Sequence, residues 1–594
     1  MVFKHNIDFE KLSKLAHKNL SRRSFILGSA GVIGAGLIAA CEADDDEPVD
    51  DTAEAVEDDD DEEPAAEPED DEEEELEVDD DVPEDDTEIG EVRQFDDPEP
   101  GEPTGDQPEE LVLAWGTFPS TDWGIDPQRH VNTIAENWLR HMYEPLIQYD
   151  RDLETISPVL ATDWERVDDL TVEFNLREDV VFHNGEEFNA EAVRFSLLRP
   201  LADETAGDSR STYAVIDDVE VVDDYTVRVI TGQPDPALLS RLTGFHMTII
   251  APEWAGADPE APQTEANGTG PYQLAEWSER EDLVMERFDD YWGDLPDIER
   301  VRCTVLSEQS TRVSAVRTGE VHVAKDMPPE EIDSMNQEDG IRIARAVSNR
   351  VPFYFITTEV EPYDDPRVRQ AINLAANVEG VIQAILQGNG QRVSTILPVW
   401  AFGFDETLEP YPHDPERARE LLEEAGYPDG IDIQLWHIEG RYTKDREVAE
   451  AMAQEMAAAG INCTTELREW ATLVDMQRSQ DTPGLIFASW GNWIFDADNS
   501  FFPLFSCLEA EDRDFDWTRP YCDEEFEEII EEARYELDEE RRAELYADAQ
   551  QYMYDEAAAL FMYQLVDIFG VNDWVVWEPR HDEMMWAHDM SWNT

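Results

Sequence analysis

Lysine is almost missing from most of this chain. After residue 41 only Lys325 and Lys444 occur, although arginine is common throughout. Basic charge of any kind is outnumbered: 43 Lys and Arg face 141 Asp and Glu, for a net charge of −98. A surface this acidic repels phosphates, which excludes nucleic acid as a partner. Cysteine is scarce as well. Cys41, Cys303, Cys463, Cys507 and Cys522 form no CxxC pair, and the 11 histidines are scattered, so no metal site is expected. No HExxH, no GxSxG elbow and no phosphate-binding loop occurs. The chain therefore reads as no enzyme, with no catalytic residue and no cofactor. No apolar run reaches the ~20 residues of a spanning helix.

What is present is unevenly placed. Residues 1–41 hold six basic and two acidic side chains; residues 42–110 hold 39 acidic ones and a single arginine. The rest is acidic too. Repulsion on that scale strains a fold at low salt and is screened at molar salt. The composition resembles that of proteins from extreme halophiles, haloarchaea above all. Ser21-Arg22-Arg23-Ser24-Phe25-Ile26 leads into an apolar stretch over 25–40, too short to span a membrane and too glycine-rich for a core helix. It reads as an export signal, and Arg22 and Arg23 resemble the twin-arginine signal for folded cargo. Ile38-Ala39-Ala40-Cys41 resembles a lipobox, which implies a lipid on Cys41 and attachment to the outer face of the cytoplasmic membrane. Residues 42–110 lack the apolar content to fold and read as a disordered acidic tether.

From Leu111 the texture is globular. "LVLAW" is a short apolar strand. "LTVEFNL" (170–176) alternates, with Val172, Phe174 and Leu176 on one face, and 219–230 reads as a hairpin turning at Asp223-Asp224. Residues 364–386 predict a helix with Val368, Ala371, Ile372, Ala375, Val378, Ile382 and Ile385 on one stripe. Asp414, Pro415 and Gly426 delimit another, and 539–560 predicts a third. Strands first, then mixed helix and strand, indicate α/β lobes. In "GTGPY" Gly268 and Gly270 are expected at positive φ. Asn267-Gly268-Thr269 and Asn462-Cys463-Thr464 are glycosylation sequons.

Five blocks then line up in order: "MYEPLIQYDRD" (142–152), residues 161–199, "GTGPYQLAEWSEREDLVMERFDDYWG" (268–293), "VRQAINLAAN" (368–377) and "YPHDPERARELLEEAGY" (411–427). Together they resemble family 5 extracellular solute-binding proteins of ABC transporters, the dipeptide-, oligopeptide- and nickel-binding class. The resemblance covers about 111–594. It implies an α/β fold of two lobes closing like a clam, with an extra β-rich domain inserted in the first. The expected segments are 1–41 signal and lipobox, 42–110 tether, 111–148 first lobe, 149–266 inserted domain, 267–350 first lobe, 351–565 second lobe and 566–594 a return to the first. It also implies a monomer that captures a solute, a di- or oligopeptide first of all, and delivers it to a permease with ATPase subunits. A nickel complex, a sugar or a cationic organic solute is the alternative, and a secreted hydrolase the distant one.

The resemblance places ligand contacts in "SWGNWIFDADNSFFPLFSC" (489–507). Peptide-binding relatives carry there a Trp, matched by Trp490, and an Asp that pairs with the peptide's α-amino group. That position holds Trp493, and the next acids are Asp496 and Asp498. Either Asp496 substitutes or the ligand lacks that amine. Trp490, Trp493, Asp496 and Asn499 are thus candidate contacts, joined by Trp400 and Phe402 at a pocket edge and by Trp123 and Tyr143 near the mouth of the first lobe. "PFYFITTE" (352–359) resembles the strand crossing between lobes. Some family members have a disulfide in the region of Cys507 and Cys522. Closing that loop would contribute about 3 kcal/mol in the chain-entropy model.

Overall fold

The computed structural model describes residues 89–594 except 118–123, 131–132, 203–204, 208, 280, 479–482 and 508–520. The export signal, Cys41, the tether up to residue 88 and Trp123 lie outside the described residues. Three sheets organise the rest. The largest belongs to the first lobe and runs in the order Ile341–Val347, Tyr563–Asn572, Val323–Ala324, Leu111–Trp115, Arg300–Val305, Asp282–Arg287, Tyr272–Trp277. Leu111–Trp115 is parallel to both its neighbours. Tyr563–Asn572 is buried at all ten positions, the signature of a strand covered on both faces.

The second lobe is built on five strands in the order Ile461–Leu467, Ile431–His437, Leu485–Gly491, Arg350–Ile356, Ala559–Phe561. Its first three are mutually parallel, and the helix Asp445–Met456 makes the crossover between the first two in sequence. The helix Pro415–Ala425 forms as its boundary residues dictate: the Asp414 carboxylate accepts from Arg417 N, and Gly426 ends it at φ 101°. The inserted domain is a four-stranded antiparallel sheet, Ala161–Asp168, Thr171–Leu176, Thr226–Thr231, Ile216–Asp223, with Val172, Phe174 and Leu176 inward.

The chain crosses between lobes at Ser348–Asn349. It crosses again inside Tyr563–Asn572, which pairs with Gly390–Arg392 up to Leu565 and with Ile341–Val347 from Val566. The crossing between lobes expected at 352–359 is corrected by this: Arg350–Ile356 lies wholly within the second sheet. Other expectations are corrected too. The helix over 364–386 is two helices, Pro366–Ala375 and Val378–Ala384. Asn377 takes φ 44° between them and caps the second through Gly380 N. The third helix stops at Asp555, because Ala557 turns to φ 46° and Ala559–Phe561 joins the sheet. Gly268 and Gly270 are not among the glycines at positive φ. They are required by close approach: a Cβ at Gly268 would sit 2.1 Å from Met142 O. The sequon residue Asn267 is buried, its side chain accepting from Asn184 N. Finally, residues 89–110 are not free tether. Gln391 and the backbone of Glu91 and Arg93 bond each other, Asp97 pairs with Arg345 at 2.6 Å, and Phe95 receives the Arg345 guanidinium at 4.4 Å.

Candidate ligand cleft

A cavity of about 240 Å³ lies between the lobes and the inserted domain. The first lobe contributes Trp115, the helix Thr133–Leu139 with Glu136, Asn137 and the following Arg140, Lys325 and Asp326 just beyond the strand Val323–Ala324, and Asp567 from within Tyr563–Asn572. Its C-terminal segment adds Asp582, Glu583 and Trp586. The inserted domain adds Tyr149 and Gly244-Phe245-His246. The second lobe faces them with Arg350, Arg441, Tyr442, Trp470, Trp490 and Trp493. Most of these second-lobe residues sit at, or in loops beyond, the carboxyl ends of parallel strands, where open α/β sheets leave a crevice.

The floor is an ion-pair network. Lys325 Nζ lies 3.0 Å from Asp567 Oδ2 and 3.0 Å from Glu583 Oε1. Arg350, the first residue of its strand, holds Glu583 across the lobes, with Nη2 at 2.9 Å from Oε2. Burial opposes ionisation of Glu583, but Arg350 and Lys325 overcome it and hold the carboxyl well below its usual range. Burial pushes Asp567 up, only partly offset by Lys325 and reinforced by Glu583. Burial likewise raises Glu136, to about 8, against Arg140 and with Asp582 and Glu583 adding repulsion.

Of the residues nominated from sequence, Trp490, Trp493 and Asn499 line this cavity. Trp493 reaches the inserted domain. Its ring meets His246 edge-on at 4.5 Å, and a Cβ on Gly244 would lie 2.6 Å from its Cζ3. The remaining described nominees do not line it. Asp496 is consumed by Arg542, whose Nη1 and Nη2 each lie 2.7 Å from one carboxylate oxygen. Phe402 stands behind the loop, donating its N–H to Phe495 O and receiving the Arg542 guanidinium at 4.8 Å. Trp400 packs against His581 at 4.6 Å. Tyr143 is fully buried in the first-lobe core, its hydroxyl accepting from Asn267 N. Cys507 and Cys522 are bonded to each other, Cα atoms 4.8 Å apart, while Cys303 and Cys463 are free.

Sequence reasoning missed Glu136, Arg140, Lys325, Arg350, Arg441 and Glu583. Two had a signal. Lys325 is one of only two lysines after residue 41. Arg441 follows the carboxyl end of the parallel strand Ile431–His437. Its guanidinium lies 4.2 Å from the Trp470 ring centre, Nε donates to Tyr442 Oη at 3.2 Å, and it has no carboxylate partner among the described residues. Among the described residues no His/Cys/Asp/Glu group could hold a metal ion, and no helix is long and apolar enough to cross a membrane.

A family model for bacterial extracellular solute-binding proteins, family 5 middle, matches residues 155–512. The dipeptide-binding protein of Escherichia coli K12 is 29% identical over 448 residues, covering 71% of this chain and 83% of that protein. The glutathione-binding protein of Pectobacterium atrosepticum is 27% identical over 455 residues, covering 75% and 87%. A solved periplasmic binding protein from Helicobacter pylori, in complex with the peptide STSA, has the same fold at a TM-score of 0.71 and 24% identity, covering 82% of this chain and 98% of that one. The family model alone spans more than half of the sequence, and the chain belongs to family 5 of the bacterial extracellular solute-binding proteins.

Proposed function

We propose that this protein is a lipid-anchored receptor that captures a di- or oligopeptide outside the cell and hands it to an ABC permease driven by ATPase subunits. Twin-arginine export, attachment through Cys41 and a tether over residues 42–88 keep it near that permease. The two lobes and the inserted domain close on the ligand about the crossings at Ser348–Asn349 and Leu565–Val566.

The observation that carries the peptide reading is Arg441. A guanidinium held against an indole in a cleft, with no acidic partner, is a ready carboxylate anchor. The apolar wall of Trp470, Trp490 and Trp493 suits side chains flanking that carboxylate. The test is a thermal-shift screen in molar KCl against dipeptides, oligopeptides, sugars, polyamines and nickel chelates. Binding stabilises by mass action, about 2.7 kcal/mol at a hundredfold excess over Kd. Peptides with a free carboxyl terminus raise Tm in the wild type; peptide amides, or the variant Arg441→Ala, do not. A melt moved by a sugar or a chelate and untouched by peptides removes the peptide and leaves the transport role.

A further inference from the structure

The cavity's charges are of both signs on the first lobe and cationic on the second. On the second lobe Arg350 is neutralised by Glu583, so the cation left without a carboxylate is Arg441. On the first lobe Asp567 and Glu583 are held by Lys325, and Asp582 by Arg580 at 2.6 Å. Among the described residues two carboxylates of the wall remain with neither a hydrogen bond nor an ion pair, Glu136 and Asp326. They are not equivalent. Asp326 sits beside the Lys325 and Arg312 charges. Glu136 projects from the helix Thr133–Leu139 with Asp582 and Glu583 beside it. Arg140, one turn on, lies over the Trp586 ring at 5.4 Å and reaches Thr243 O at 3.4 Å. Glu136 therefore lines the cavity with no hydrogen bond or ion pair of its own, among other acids and with the Arg140 and Arg580 charges acting in its favour.

The unpartnered atoms of the wall include donors, Trp115 Nε1 and Trp586 Nε1, and acceptors. Asn349 Oδ1 and Asn499 Oδ1 are buried acceptors without a donor. A buried acceptor left unmade is costly, so a ligand that supplies N–H groups is favoured there. The second-lobe loop offers no competing anion, since Asp496 is consumed by Arg542 and Asp498 by Arg241.

We infer that Glu136 is the anchor for an ammonium group of the ligand, set on the first lobe opposite Arg441, so that a ligand with free charges at both ends is gripped by both lobes at once. This deepens the peptide reading and rests on it for the carboxylate end only. Glu136 specifies a cation, whatever carries it. Closure is then coupled to recognition. A solute lacking the ammonium engages the second lobe alone, and one lacking the carboxylate engages the first alone.

The experiment uses the full chain in molar KCl and reads binding by calorimetry with four probes: a set of unblocked dipeptides, the same set N-acetylated, the same set as amides, and putrescine. Wild type is expected to prefer unblocked to N-acetylated dipeptides. Glu136→Gln loses at least about tenfold for the unblocked set and stays within twofold for the acetylated set, so the preference collapses; Glu136→Asp restores part of it. Asp326→Asn is the control and keeps the preference. Equal selectivity in Glu136→Gln and wild type overturns the anchor, as does a loss carried by Asp326→Asn instead. A wild type that binds no amine-bearing probe also overturns it. Putrescine binding that is lost in Glu136→Gln, with no response to any dipeptide, keeps the anchor and removes the peptide reading.

Discussion

A carboxyl group kept in a cavity without a direct ion pair leaves a trace in pH dependence. Burial raises Glu136 to about 8 from an ordinary 4.5, with Arg140 and Arg580 pulling down and Asp582 and Glu583 pushing up. The folded, ligand-free chain therefore holds a proton that the unfolded chain has lost above pH 4.5. Its stabilising share is full below 4.5 and disappears as pH rises through 8. Glu136→Gln has no such proton to lose, so its Tm should fall less than that of wild type between pH 5 and 8. An ammonium arriving at Glu136 favours the ionised form. Binding of an unblocked dipeptide at pH 7 should thus expel a proton. Calorimetry in buffers of different ionisation enthalpy reads that release directly. Heats that do not vary with buffer would show that Glu136 keeps its proton and takes no charge from the ligand.

Two helix ends share one further bond that no ligand touches. Arg241, on the inserted-domain helix Leu238–Leu242, is paired with Asp498 at the start of the second-lobe helix Asp498–Phe505. Both side chains are buried, and Arg534 stands 3.7 Å from the same carboxylate. Burial works against the Asp498 charge, but Arg534, Arg241 and Arg542 hold it below the usual range. The pair ties the inserted domain to the second lobe, so it is expected to bias the molecule towards closure. Asp498 does not line the cavity, yet Asp498→Asn should weaken peptide binding by about tenfold through the opening equilibrium alone. Small-angle scattering should show the ligand-free variant more extended than wild type; unchanged scattering with unchanged affinity refutes the latch. Such bonds explain what sequence could and could not reveal. Asp414-Pro415…Gly426 announces its helix because both ends are satisfied within a few residues. Asn377 breaks the apolar stripe after Ala375 by a left-handed turn, which periodicity cannot register. Trp490, Trp493 and Asn499 were legible because they lie on one loop. Glu136, Arg350 and Arg441 meet only through tertiary folding across more than three hundred residues, and Asp496 looked free because its partner, Arg542, is 46 residues away.

At the scale of the whole molecule the dominant quantity is −98 charges on 594 residues. The buried pairs are largely shielded from solvent, among them Asp126 with Arg199 at 2.6 Å, Asp496 with Arg542, and Glu583 with Arg350. Salt in solution screens such pairs least. Most of the unpaired carboxylates lie on the surface, where repulsion acts over a Debye length of about 10 Å at 0.1 M salt and about 3 Å at 1 M. Added KCl therefore removes repulsion faster than it weakens the attractions that hold the lobes. The expected outcome is a Tm that climbs steeply from low salt towards molar KCl and then flattens once surface charges no longer see one another. Screening depends on ionic strength rather than on cation identity, so NaCl should trace the same curve. A Tm indifferent to salt would mean that local ion pairs such as Arg302 with Glu110 and Arg228 with Glu173 already balance the surface. The acidity would then serve hydration rather than screening. A fall with salt would place the stability in exposed pairs instead. The same series run with the cleft variant Asp498→Asn separates the two scales: its deficit should persist at every salt concentration, because the lost bond is buried and the recovered repulsion is not.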